Sequence, residues 1–397
     1  MGRTSGSALL RGLPRADRLP FIEGIRGLLA LYVALGHAAS MADPSALAGR
    51  VSRAPDWLQS FLAPLGHGQV AVAAFIVVSG YCLQLSLYLG TQNGRVQGIQ
   101  RYARRRALRI LPPYYAALTI SLLVAFTVTP HLLGYPFDIY RPVTLENVAA
   151  HVFLVHNLSL AWMYKINGVL WSIAIEAQLY LVFPFLAGRL LRWGRPLFLI
   201  AVTILAAVLF LTLPGAPKLY PWYLALFGLG MAGAAFAYRP NPHAGILPWG
   251  GAIITLGGMA LFGTGLWGGW PLWALDGAGG LATTGLLYWL TVTDDFPLAR
   301  FLGKPWLVVL GSFSYSLYLV HHPVMQVLWL VRPTHGSVAD FFYLLATMPL
   351  TLAVAYGFSL LFERPFLPPK ISTVPTSGER VLIALPLRTV GGLASSA

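Results

Sequence analysis

Apolar runs about the length of a membrane-crossing helix alternate along the chain with short polar segments. A helix needs about 20 mostly apolar residues to cross hydrocarbon. Runs near 22–40, 66–89, 108–129, 168–188, 196–213, 220–238, 246–264, 273–292, 306–330 and 340–362 meet or approach that length. An eleventh stretch, near 143–160, is shorter and carries Glu146, Asn147, His151, His156 and Asn157. The pattern predicts an all-α, polytopic transmembrane bundle of about ten spans.

Charge arbitrates the eleventh stretch, because Lys and Arg concentrate on the cytoplasmic side of membrane proteins. If 143–160 does not cross and the N-terminus is cytoplasmic, 20 of the 27 Lys and Arg lie inside and 6 outside, with Arg26 inside the first helix. Crossing there would move the Arg189–Arg195 cluster and the basic tail to the outside. The expectation is therefore ten spans with both termini cytoplasmic, and 143–160 re-entrant or interfacial. Residues 1–18 form a cytoplasmic segment, 19–368 the membrane domain, and 369–397 a flexible cytoplasmic tail. The first run is read as a retained span, not a cleaved leader, because Arg26 and His37 lie within it.

Composition agrees: 57% of the residues are hydrophobic and 10% charged, where soluble domains carry roughly 25% charged residues. The net charge of +14 sits in short segments between apolar runs, too short for a nucleic-acid-binding module. One cysteine, Cys82, excludes an internal disulfide framework, and no Cys/His cluster has zinc spacing, so no metal is expected.

Ionisable groups inside spans cost about 2.5–3.5 kcal/mol each at a helix centre and need a reason. They are Arg26, His37, Glu176, His321 and His322. Arg26 and His37 share a face of the first helix, and Glu23 lies one turn before Arg26, within pairing reach. Snorkelling and packing would also account for Arg26 and His37. Ser172, Glu176 and Tyr180, spaced i, i+4, i+8, make a polar stripe. A structural ion pair is the other reading of Glu176. Ser79-Gly80-Tyr81 in mid-span lets another backbone approach. Arg101, Arg105 and Arg109 share a face beside Arg106; such guanidiniums bind phosphates bidentately or anchor lipid headgroups.

Together these segments resemble the acyltransferase family 3 of integral membrane acyltransferases, over about 19–368. The resemblance rests on Arg26 with ten residues before His37, Ser79-Gly80-Tyr81, Arg105-Arg106-x-x-Arg109-Ile110-x-Pro112-x-Tyr114, Trp171-Ser172-x-x-x-Glu176, Ser314-Tyr315-x-Leu317-Tyr318-Leu319-x-His321-x-Pro323 and Glu363-Arg364-Pro365-Phe366. It implies a multi-pass protein of the cell membrane. That protein would move an acyl group, usually acetyl, from acyl-CoA as co-substrate to a hydroxyl of a carbohydrate or glycosylated acceptor. No permanently bound cofactor is implied, and the chain looks like the stand-alone type without an esterase-like extension. His37 is then the expected base, with Glu176 orienting its ring, and Arg105, Arg106 and Arg109 hold acyl-CoA. Arg26, Ser79, Tyr81, Trp171, Ser172, Tyr315 and His321 are expected to touch substrate or support the site. The rival reading is a transporter or exporter of a sugar or anionic metabolite, which would have no need of acyl-CoA.

Overall fold

The computed structural model describes residues 19–43, 54–92, 98–128, 136–237, 248–293, 296–333 and 335–367. The expected cytoplasmic segment 1–18 and tail 369–397 lie outside the described residues, as do Arg50, Arg53, Arg95 and Arg239 of the charge count. Among the described residues the secondary structure is helical, with no strand.

Six helices are long and apolar enough to cross a membrane: Pro20–Ala42, Asp56–Tyr88, Ile99–Val128, Trp171–Trp193, Arg195–Thr212 and Trp249–Trp267. A seventh results if Ser337–Ala346 and Met348–Phe366, bent by 43°, count as one span. The remaining apolar runs appear in other forms. Tyr223–Ala237 is a helix of 15 residues. Leu272–Val292 is 21 residues long and buries Asp276. The run 306–330 is two helices, Pro305–Ser312 and Ser314–Leu330, broken at Phe313.

For the site, α1 is Pro20–Ala42, α2 Asp56–Leu62, α3 Gly68–Gln92, α4 Ile99–Leu123, α5 Leu145–Val152, α6 Leu160–Met163, α7 Trp171–Trp193, α8 Arg195–Thr212, α9 Tyr223–Ala237, α10 Pro248–Trp267, α11 Leu272–Val292, α12 Pro297–Leu302, α13 Pro305–Ser312 and α14 Ser314–Leu330. Helix α1 packs against α3, α13 and α14. Helix α3 crosses α9 at backbone contact. A Cβ on Gly80 would stand 2.2 Å from the Phe227 carbonyl oxygen, and one on Gly230 2.1 Å from that of Val77. The mid-span glycine after Ser79 thus serves the close approach expected of it.

The outer surfaces are apolar. On α7, Leu181 is 81% exposed and Phe185 60%, while Ser172 on the opposite side is buried. On α8 and α10, Leu211, Ile253 and Leu256 are exposed likewise. Contiguous apolar surface of this extent needs lipid as its solvent.

The segment 143–160 does not make a span. Its helix α5 has eight residues, about 12 Å at 1.5 Å per residue, and starts at Thr144, whose Oγ1 accepts from the Asn147 amide at 3.2 Å. The chain then turns at Leu154, which has a positive φ of 56°. Carbonyls in this turn, otherwise stranded in an apolar setting, are satisfied from neighbouring helices. Tyr114 and Tyr115 of α4 donate to His151 and Val152 at 2.8 and 2.9 Å. Gln178 of α7 donates to Leu154 at 2.9 Å. The segment is a wedge between α4 and α7, with Leu145 and Phe153 facing outward.

Candidate active site

A cavity of about 200 Å³ opens among α1, α3, α4, α7 and α14. Its polar wall is built from Glu23 and Arg26 of α1, Ser79 of α3, Arg106 and Arg109 of α4, Ser172, Glu176 and Tyr180 of α7, and Tyr315 and Tyr318 of α14.

The stripe on α7 faces this cavity. Glu176 Oε1 accepts hydrogen bonds from Ser79 Oγ at 2.7 Å and from the Tyr180 hydroxyl. Ser172 Oγ lies 2.6 Å from the Tyr318 hydroxyl. Opposite, the Arg106 guanidinium lies 5.7 Å from the Tyr180 ring centre and 5.9 Å from that of Tyr102. Its Nε is buried without a hydrogen-bond partner. Arg26 reaches both carboxylate oxygens of Glu23 at 3.3 Å, the pairing the one-turn spacing predicts. Tyr315 donates to the Ile110 carbonyl at 3.2 Å and ties α14 to α4. Beneath it, Ser316 donates to the buried carboxylate of Glu363, which anchors the Glu363-Arg364-Pro365 motif to α14. Three guanidiniums against two carboxylates leave the wall cationic, a setting for an anionic ligand.

Tyr318 closes one end of the cavity, and histidines lie beyond it. Its ring centre is 6.0 Å from that of His321, which is 5.2 Å from His37. His322 stands edge-on to His37 at 5.3 Å. His321 Nδ1 is 2.9 Å from the Leu317 carbonyl. Donation there leaves its Nε2, buried and unpartnered, as the basic nitrogen. His37 is itself only partly buried.

The structure thus brings Arg26, Ser79, Arg106, Arg109, Ser172, Glu176 and Tyr315 to one cavity. His37 and His321 share the adjoining layer. Arg105 lies on the exposed side of α4 and does not line the cavity. Tyr81 is turned to α11, where its hydroxyl donates to Thr291 Oγ1 at 2.7 Å. Trp171 stacks on Tyr220 at 4.3 Å, outside the cavity. Glu176 and His37 are not partners: the contacts of the carboxylate are with Ser79 and Tyr180, and the ring contacts of His37 are with His321 and His322. The reason is positional. Glu176 faces α3 across the cavity, and His37 sits beyond Tyr318, against the middle of α14. Sequence reading passes over Tyr140, which packs on His322 at 4.5 Å. It ends a three-residue 3-10 turn, Asp138–Tyr140, too short to show a periodicity that would mark it.

A family model described as an acyltransferase domain matches residues 19–360. Among similar proteins, the O-acetyltransferase OatA of Staphylococcus aureus is 26% identical over 296 residues, 66% of this chain and 46% of that protein. The peptidoglycan O-acetyltransferase OatA of Listeria monocytogenes is 23% identical over 289 residues, 66% of this chain and 45% of that protein. The chain therefore spans less than half the length of these relatives. No solved structure matches. With the matched segment covering the whole cavity and the histidine layer, the chain belongs to the acyltransferase family 3 of multi-pass membrane proteins.

Proposed function

We propose that the protein transfers an acetyl group from acetyl-CoA to a hydroxyl of a carbohydrate, with a peptidoglycan-type glycan as acceptor. The observation that carries this reading is the buried, unpartnered Nε of Arg106 in a cavity shared with Arg26, Arg109 and Tyr318, whose ring centre lies 6.0 Å from that of His321. The arginines hold the CoA phosphates by charge-assisted hydrogen bonds. The pantetheine arm runs past Ser79 and Glu176 toward Tyr318, which must yield for the thioester to reach His37. There His37 takes the proton of the acceptor hydroxyl as its oxygen attacks the thioester carbon. The C–O bond forms, the C–S bond breaks, and the leaving thiolate recovers the proton from the imidazolium. Glu176 serves by holding Ser79 and Tyr180 in the wall and by balancing the arginine charge. Its approach to His37 is not required. The acceptor class follows the Listeria relative, a peptidoglycan O-acetyltransferase.

Purified protein in nanodiscs, given acetyl-labelled acetyl-CoA and a soluble N-acetylglucosamine tetramer, should yield labelled O-acetyl sugar. Counter-flow of the tetramer without acetylation would favour a transporter instead.

The same reading places the protein in the cytoplasmic membrane with ten spans and both termini inside. Reporter tags at the N-terminus and after residue 370 should both signal cytoplasm. An external signal from either tag would overturn that topology.

A further inference from the structure

His322 is fully buried, yet both of its ring nitrogens lack a hydrogen-bond partner. Such a group loses its hydration on burial and gains nothing in return unless something else binds it.

Its surroundings are built with care. The ring lies between His37, at 5.3 Å, and Tyr140, at 4.5 Å. Tyr140 follows α4, so it belongs to the end of the bundle opposite the arginines at the start of that helix. Three hydrogen bonds tie this loop to the 166–167 turn and that turn to α4 and α14. Ile166 N donates to the Tyr140 carbonyl at 3.1 Å. Asn167 Nδ2 donates to the Leu319 carbonyl of α14 at 3.2 Å and to Ser121 Oγ at 3.0 Å. The Tyr140 ring packs directly on Gly168, where a Cβ would stand 2.4 Å from Tyr140 Cε1 and displace the ring. Tyr140 also lines a small cavity of about 10 Å³, together with Ser121, Arg141 and Gln326, and Gln326 is one helical turn beyond His322. A space of that size admits about one water-sized oxygen. A chain of ring contacts, Tyr318–His321–His37–His322–Tyr140, thus lies between the donor cavity, which Tyr318 lines, and this second space, which Tyr140 lines.

Resting on the acetyl-transfer reading, the geometry points to His322 as the acceptor-side residue: its ring hydrogen-bonds the sugar that presents its hydroxyl to His37. A neutral imidazole offers one donor and one acceptor, which matches neighbouring hydroxyls of a sugar ring. The loop carrying Tyr140 and Arg141 is then the cover that the acceptor lifts on entry.

The test measures acetylation of the N-acetylglucosamine tetramer by the full chain in nanodiscs, with acetyl-CoA saturating. His322→Phe keeps the ring volume but removes both nitrogens. It should raise the tetramer's KM by about thirtyfold, the equivalent of two lost hydrogen bonds, and leave the acetyl-CoA KM unchanged. His322→Gln restores a donor and an acceptor and should recover most of the loss. An unchanged tetramer KM in His322→Phe overturns the assignment while the acetyl-transfer reading stands. Loss of acetyl-CoA binding in both variants overturns it as well, marking His322 as a packing residue. Absence of transfer by the unmodified protein defeats the acetyl-transfer reading and this assignment with it.

Discussion

His37→Ala cuts the rate of acetyl transfer by about 10²–10⁴-fold, the range that general-base catalysis supplies, and leaves acetyl-CoA binding intact. The separation follows from position. The arginines line the cavity, whereas His37 sits in the histidine layer past Tyr318, so removing the imidazole touches the chemistry and not the phosphate contacts. Glu176→Gln also lowers activity, through a different channel. It weakens the hydrogen bonds from Ser79 and Tyr180 and removes a negative charge from a cationic wall. Because the two side chains share no contact, their losses should multiply in the double variant, as for independent sites. Strongly sub-multiplicative losses would instead restore a His37–Glu176 unit formed only when substrate is bound. Expression and monodispersity need measuring in parallel, since removing one member of a buried charged network destabilises by about 3–5 kcal/mol. A well-folded His37→Ala protein that transfers acetyl at the normal rate would end the assignment of His37 as base.

The second large effect lies at the donor end. Arg106→Ala combined with Arg109→Ala should raise the KM for acetyl-CoA by about a hundredfold, because hydrogen bonds to charged groups are worth about 1.5–3 kcal/mol each. The acceptor KM should stay where it is. High salt should reproduce part of this loss in the unmodified protein, since at about 1 M the Debye length falls to about 3 Å. Arg105→Ala is the internal contrast. The sequence groups Arg105 with the other two, but the fold leaves it on the exposed side of α4, so its removal should change the acetyl-CoA KM by no more than about twofold. Equal losses from Arg105→Ala and from the paired variant would mean that surface charge attracts the donor and the cavity does not hold it. An unchanged KM in the paired variant would leave these arginines as membrane anchors.

How much of this was legible beforehand differs from element to element. The i, i+4, i+8 stripe of Ser172, Glu176 and Tyr180 declared a polar helix face, and that face does line the cavity. The Glu23–Arg26 pair was legible because it joins neighbours one turn apart. The Ser79-Gly80 step announced a close backbone approach without saying that α9 would be the partner. Arg105 and Arg106 are adjacent in sequence, and successive residues on a helix point about 100° apart. Which of the two faces the bundle depends on how α4 is rotated against α7 and α14.

The features legible in the chain alone are therefore local or compositional. Apolar runs set the helices, because in hydrocarbon each backbone group must be satisfied within its own segment. Helical periodicity then set which side chains share a face. Tertiary structure decided everything that depends on two helices meeting. It sent Tyr81 to Thr291 and Trp171 to Tyr220, away from the cavity. It gave Glu176 to Ser79 and Tyr180, and grouped His37 with His321 and His322. It also folded the loop of Tyr140 back onto α14. Those outcomes turn on the rotation and depth of each helix, which are fixed by packing between segments far apart in the chain and leave no periodic trace in any one of them.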